Sequence, residues 1–301
     1  MSAMSRRELL AGAAGAAALR AERQAAAAPR TRPMICLFSK HLQQLHYTEL
    51  GGVLQHMGFE GCDLTVRKGG HVEPAMAPVD LVRAVESIRG EGVEVPMITT
   101  DLVSARDPHA TNVLGLAGRQ YMGVPLFKPG YYEYGGTPVE DRLLEVRRDF
   151  AGLVSLGRAQ GMACGFHNHS GDRVGQSVWE IREVIRDLDA RWAGYYFDPS
   201  HATVEGGLGG WSVALRLALP RVKMVAMKDF YWEKSGGRWT ARQCPMGEGM
   251  VAWPKVFAAL AGARFTGPLS LHIEYGPSDL AGAIARDLAW VRKQVEAAWK
   301  A

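Results

Sequence analysis

The feature that most constrains this chain is a strict alternation of short apolar runs with longer amphipathic stretches, repeated eight times after residue 30. The runs are Met34 to Phe38, Gly61 to Val66, Val95 to Thr99, Tyr121 to Phe127, Met162 to His167, Ala193 to Phe197, Val222 to Met227 and Pro268 to Ile273. Each has strand length, and the stretches between them carry apolar residues at helical spacing. The longest stretch opens at Pro138, keeps Leu143, Val146, Phe150, Leu153 and Leu156 on one face, and stops at Gly161. A helix is also expected from Trp211 to Leu219, closed by Pro220, and a last one from Asp279 to Trp299. Strands that alternate with helices run parallel through right-handed crossovers, so eight units predict an α/β protein with a single (β/α)8 TIM barrel. The alternative is an open doubly wound sheet, and no GxGxxG follows the first run to support it.

Residues 1–30 stand apart from this pattern. Ser5, Arg6, Arg7, Leu9 and Leu10 precede a weakly apolar Ala/Gly run and then Ala25 to Ala28. Paired arginines, a short apolar region and small residues describe a Tat-type export signal, which predicts a periplasmic protein with a barrel domain over 31–301. The run from Leu9 to Leu19 is too short to span a bilayer, which takes about 20 residues, so no stable membrane insertion is expected once the signal is removed. These residues also hold five arginines against two glutamates, leaving +1 of the formal +4 for the rest of the chain. That near neutrality argues against nucleic acid as a partner. Self-association into a homo-oligomer is compatible with the sequence. Cys36, Cys62, Cys164 and Cys244 show no CxxC spacing, and the first three, inside apolar runs, are expected to be buried free thiols.

Polar residues fall at the ends of the runs. Ser39, Lys40 and His41 follow the first; Asp63 and Arg67 belong to the second; Thr100 and Asp101 close the third; Lys128 follows the fourth. His167, Asn168 and His169 end the fifth, Asp198 and His201 follow the sixth, Lys228 and Asp229 the seventh, and Glu274 the eighth. In a barrel these ends share one rim, where such folds place their chemistry. Loops on the same side carry Tyr131, Tyr132 and Tyr134, and then Phe230, Tyr231, Trp232 and Trp239, flat faces suited to sugar rings or to packing of the rim.

Four segments resemble the xylose isomerase-like barrel family of sugar phosphate isomerases and epimerases: Phe166-His167-Asn168-His169, Phe197-Asp198-Pro199-Ser200-His201, Met227-Lys228-Asp229 and His272-Ile273-Glu274-Tyr275. The resemblance implies a divalent metal ion (Mn, Co, Zn or Mg) held by His167, Asp198 and Glu274. It also exposes a departure, because the family pattern at the seventh strand is similar to H-x-K-D and this chain has Ala226 in place of the histidine. His169 or His201 could move into that gap.

The chemistry implied is removal of a proton beside a sugar carbonyl, with the enolate oxygen stabilised by the metal or by Lys228 and Lys128. Glu274, Lys228, His169 and His201 are the catalytic candidates. Asp63, Arg67, His71, Lys128, Asn168, Asp229 and Trp232 are the candidates for binding a small carbohydrate substrate, with Asp229 also expected to orient Lys228. The leading expectation is an isomerase or epimerase; a lyase or hydratase acting on a keto-sugar or keto-glycoside, and a carbohydrate-binding barrel without catalysis, are the alternatives. Phosphodiester cleavage of the endonuclease IV type would need a multi-metal cluster and a basic groove, and the sequence offers too few ligands for one.

Overall fold

The computed structural model describes residues 31–300. The expected export signal lies outside the described residues. Twelve strands are present among the described residues, and eight of them form one closed parallel barrel. The barrel strands are β1 (Ile35–Phe38), β2 (Gly61–Val66), β3 (Glu94–Thr100), β4 (Leu126–Lys128), β6 (Ala163–His167), β8 (Ala193–Phe197), β9 (Val222–Met227) and β12 (Leu269–Leu271), with β1 pairing both β2 and β12 to close the ring. Two antiparallel ribbons interrupt the series: β5 (Tyr132–Glu133) with β7 (Arg173–Val174), and β10 (Asp229–Ser235) with β11 (Arg238–Cys244).

Eight helices surround the barrel among the described residues: α1 (Tyr47–Met57), α2 (Ala77–Gly90), α3 (Ala110–Ala117), α4 (Val139–Ala159), α5 (Val178–Ile185), α6 (Pro199–Ala218), α7 (Trp253–Gly262) and α8 (Leu280–Trp299). Strand side chains alternate between two environments, as the pleat requires. Leu37, Leu64, Phe166, Phe197, Val225 and Leu271 point outward into the core shared with the helices. Their neighbours Met97, Tyr196, Met224 and Ala226 form a small separate cluster inside the barrel, with Leu126 against it. Gly165 belongs to this inner floor, since a Cβ there would overlap the Met224 methyl. The four cysteines are buried and free.

Three expectations need correction. The fourth strand is confined to Leu126–Lys128, because the backbone of Gly118 to Val124 folds into a turn with Gly123 at φ 69°. The sixth helix does not start at Trp211: α6 runs from Pro199, capped by the Asp198 side chain, and breaks only at Gly207, where φ is 58° and ψ −153°. The long loop expected after the seventh strand is largely the β10–β11 hairpin, turned at Gly236 and Gly237, both with positive φ.

Candidate active site

The period of two that separates core from barrel interior also builds the mouth of the barrel. Past the inner cluster, residues two apart at or just beyond the strand ends line one cavity: Phe38 and Lys40, His167 and His169, His272 and Glu274. Tyr196, Thr99, Lys128 and Lys228 join them from β8, β3, β4 and β9, with Arg67 and Tyr131 from loops. The cavity is small, about 160 Å³, below the roughly 300–1,000 Å³ of sites for drug-sized ligands. It suits one sugar unit.

Lys228 lies at the centre of the charges. Its ammonium lies 3.1 Å from Asp198 Oδ2 and 3.6 Å from Glu274 Oε2. Lys40 reaches Glu274 Oε1 from the solvent side at 2.9 Å. Burial pushes the Asp198 carboxyl up, but Lys228, His201 and His167 outweigh it and hold the group well below the usual carboxylate range. Glu274 is held down in the same way, with burial opposed by the His272 ring, Lys228 and Lys40.

Local sequence explains why Asp198 is so placed. Asp198 is the N-cap of α6, its Oδ1 accepting from the His201 N–H at 3.0 Å, and Pro199 follows at the first helical position. Asn168 clasps the Asp198 backbone from β6, donating to its carbonyl at 2.9 Å and accepting from its N–H at 2.8 Å. One carboxylate oxygen is therefore spent on the helix. The other meets Lys228 and His167.

Burial holds the imidazoles of His167, His169 and His201 below their ordinary range. Burial pulls His167 down to about 3, and burial with Lys228 nearby pulls His169 down to about 4. His167 Nε2–H donates to Asp198 Oδ2 at 3.3 Å, so its Nδ1 accepts the Tyr131 hydroxyl at 3.0 Å. His169 donates through Nδ1 to the Ser170 carbonyl at 2.8 Å, which leaves the lone pair on Nε2. His201 packs against His169 with ring centroids 3.8 Å apart, and its buried Nε2 has no hydrogen-bond partner.

A divalent ion does not fit this arrangement. Position 226 supplies a methyl group among the inner-cluster side chains. The Lys228 ammonium stands between Asp198 and Glu274, where it would repel a second cation. Among the described residues no three His, Cys, Asp or Glu side chains are grouped so as to hold a metal, His167, Asp198 and Glu274 included.

Of the expected substrate contacts, Lys128 and Arg67 line the cavity and five others do not. Asp63 lies beneath it, fully buried, accepting from the hydroxyls of Thr99 at 2.7 Å, Tyr196 at 3.1 Å and Ser270 at 2.8 Å. His71 is engaged by Thr65, Ser39 and the Leu42 carbonyl. Asn168 is committed to Asp198, and Trp232 is exposed on the β10–β11 hairpin. Asp229 does not orient Lys228; its carboxylate accepts backbone N–H groups of Phe230, Gly247 and Val251 and holds the base of that hairpin. Of the catalytic candidates, Glu274, Lys228 and His169 line the cavity, and His201 backs His169. Sequence reasoning passed over Tyr196 and His272 as site residues, although each sits two positions before an assigned carboxylate on the same strand face, the signal that would have found them.

The sequence from residue 52 to 294 matches the family model described as xylose isomerase-like TIM barrel. The chain belongs to the xylose isomerase-like TIM barrel family. Solved structures with this fold include the apo form of 3-keto-D-glucoside 4-epimerase from E. coli, 14% identical with a TM-score of 0.68, covering 87% of this chain and 100% of that one. A second is D-allulose 3-epimerase from Methylomonas sp. in complex with D-allulose, 11% identical, TM-score 0.66, covering 87% and 97%. A third is a xylose isomerase-like TIM barrel protein from Mycobacterium smegmatis in complex with magnesium, 15% identical, TM-score 0.65, covering 89% and 98%. No curated protein sequence matches the chain. In this chain a lysine lies between the two carboxylates, and an alanine stands two residues before it.

Proposed function

We propose that this chain catalyses proton transfer at the carbon beside a carbohydrate carbonyl, as a sugar isomerase or epimerase. The observation that carries this reading is Lys228, a buried ammonium anchored by two carboxylates and facing a cavity that also presents the neutral His169. Removing a proton next to a carbonyl moves negative charge onto its oxygen, and a fixed cation at that oxygen lowers the barrier. An ammonium has three N–H donors. Asp198 and Glu274 engage at most two, leaving one for the substrate oxygen.

His169 suits the proton-accepting role. Its bond to Ser170 fixes the tautomer with the lone pair on Nε2, and its environment keeps it unprotonated at neutral pH. Asp198 and Glu274, held ionised by lysines, are weaker bases. Return of the proton to the opposite face of the same carbon gives epimerisation, and return to the neighbouring carbon gives isomerisation. The lyase or hydratase form shares the first step and differs in expelling a group from the enolate. Relatives named as epimerases of D-allulose and of a 3-keto-D-glucoside support a small carbohydrate as substrate. No step is assigned to a metal, since an ion at His167, Asp198 and Glu274 would first require Lys228 to leave the gap. Action in the periplasm belongs to the same proposal and is checked by cell fractionation.

The test is solvent exchange. Incubation in deuterium oxide with D-allulose, L-ribulose, a 3-keto-glucoside and the keto acid D-fructuronate should place deuterium on a carbon next to the carbonyl of at least one of them. Lys228→Met and His169→Gln should each stop it. Absence of exchange across the panel with the intact protein counts against the reading.

A further inference from the structure

Not all the positive charge at the cavity is answered by the protein. Lys40 meets Glu274, and Lys228 meets Asp198 and Glu274, so these two lysines and two carboxylates offset one another. Lys128 and Arg67 line the same cavity and, among the described residues, pair with no carboxylate. Lys128 is only 3% exposed, and its ammonium rests on the face of Tyr131, 3.6 Å from the ring centroid. Arg67 lies against the Phe38 ring at 5.5 Å; Arg173, 4.7 Å from the Tyr131 ring, is paired with Glu133 at 3.6 Å. The carboxylates that face Lys128 are otherwise engaged: Asp63 takes three hydroxyls, and Asp101 accepts the Lys68 N–H.

A buried ammonium without a counter-ion is costly. Burial, with Arg67 and Arg173 alongside, pulls Lys128 down to about 7, a tension that an anion seated beside it would relieve. The aromatic faces of Phe38 and Tyr131 border the same two cations and match the apolar side of a sugar ring. No glycine lines the cavity, so it lacks the backbone cradle that phosphates commonly use.

We propose that the sugar taken by this site carries a carboxylate, bound between Lys128 and Arg67, so that the substrate class is a keto sugar acid and not a neutral ketose. The inference rests on the proton-transfer reading only for the word keto; the anion subsite stands on the two unanswered cations.

Calorimetric titration of the full chain with D-glucuronate, D-glucose and D-glucose 6-phosphate tests it. The expected order has glucuronate tightest, by about tenfold or more over glucose, the scale of one well-formed charge pair. Lys128→Met should remove most of that preference, with a far larger loss for glucuronate than for glucose, and Lys128→Arg should restore part of it. Arg67→Gln provides a second variant, and circular dichroism establishes that each variant is folded. Equal affinity for acid and neutral sugar, tightest binding of the phosphate, no binding of glucuronate, or equal loss for all three sugars in Lys128→Met overturns the proposal. Lys128-dependent glucuronate binding without solvent exchange into any keto sugar would sink the proton-transfer reading and keep the anion subsite. Exchange into neutral ketoses without preference for the acid would do the reverse.

Discussion

Lys228 Nζ and Asp198 Oδ2 lie 3.1 Å apart, and both residues are buried. Each compensates for the desolvation of the other, so neither can be removed alone without leaving a stranded charge. Lys228→Met should destabilise the fold by about 3–5 kcal/mol, the usual cost of breaking a buried pair, and stop solvent exchange. Combining it with Asp198→Asn should recover part of the stability and none of the exchange. Urea denaturation of the single and double variants reads the coupling, and a single variant as stable as the parent would mean that the pair contributes nothing to folding.

Acid should weaken the protein earlier than its carboxylates alone would predict. His41 Nε2 accepts the Ile273 N–H at 2.9 Å, next to Glu274, and can do so only while unprotonated. Burial, with His272 and Lys40 nearby, pulls His41 down to about 3 from the ordinary 6.5. The unfolded chain therefore binds this proton first. The contribution is complete above pH 6.5 and is lost as pH falls towards 3, at about 1.4 kcal/mol per unit. Thermal melting of the parent and of His41→Gln across that range should give a shallower acid slope for the variant; identical slopes would remove His41 from the account.

Asp63 should matter for stability more than for substrate affinity. Three buried hydroxyls, those of Thr99, Tyr196 and Ser270, converge on its carboxylate. Asp63→Ala takes this acceptor from Thr99 and Ser270, while Tyr196 keeps His272 Nε2 within 3.1 Å, and each unsatisfied buried group costs about 1–3 kcal/mol. A drop of several degrees in the melting temperature is expected. An unchanged melting curve with lost sugar binding would restore Asp63 to the substrate contacts.

Chelation should leave activity intact. With Lys228 between the carboxylates and Ala226 in place of an imidazole, exchange measured after dialysis against a strong chelator should match the untreated protein. Added manganese or magnesium should not raise it. Loss of exchange on chelation, restored by one of these ions, would return the metal to His167, Asp198 and Glu274.

The barrel was legible because its signal is repeated eight times, so that a misread boundary such as Tyr121 for Leu126 changed no strand's identity. The mouth was legible for the same reason, strand ends being the one place where polar residues followed every apolar run. Depth was not legible. Asp63 and Lys128 look alike as polar residues of strands, yet Asp63 stops one layer short and is consumed by hydroxyls from three other strands, a meeting set by the stagger of the barrel. The β10–β11 hairpin was missed although Gly236-Gly237 lies between two extended segments, a two-residue turn that the aromatic content of the loop obscured. Asp229 could not have been separated from Lys228 by reading, because its three backbone partners are spread over positions 230 to 251.

The division of labour within Asp198 has a consequence for how this position can change. One oxygen starts α6 and the other anchors the cation, so a breeder of more robust variants and a breeder of faster ones would both be forced to keep the same residue. Glutamate would carry the charge but lengthen the reach past the helix start; asparagine would cap the helix but forfeit the charge. Libraries randomised at 198 should therefore return aspartate under either selection, whereas position 226 carries neither duty and answers only to the packing of the inner cluster.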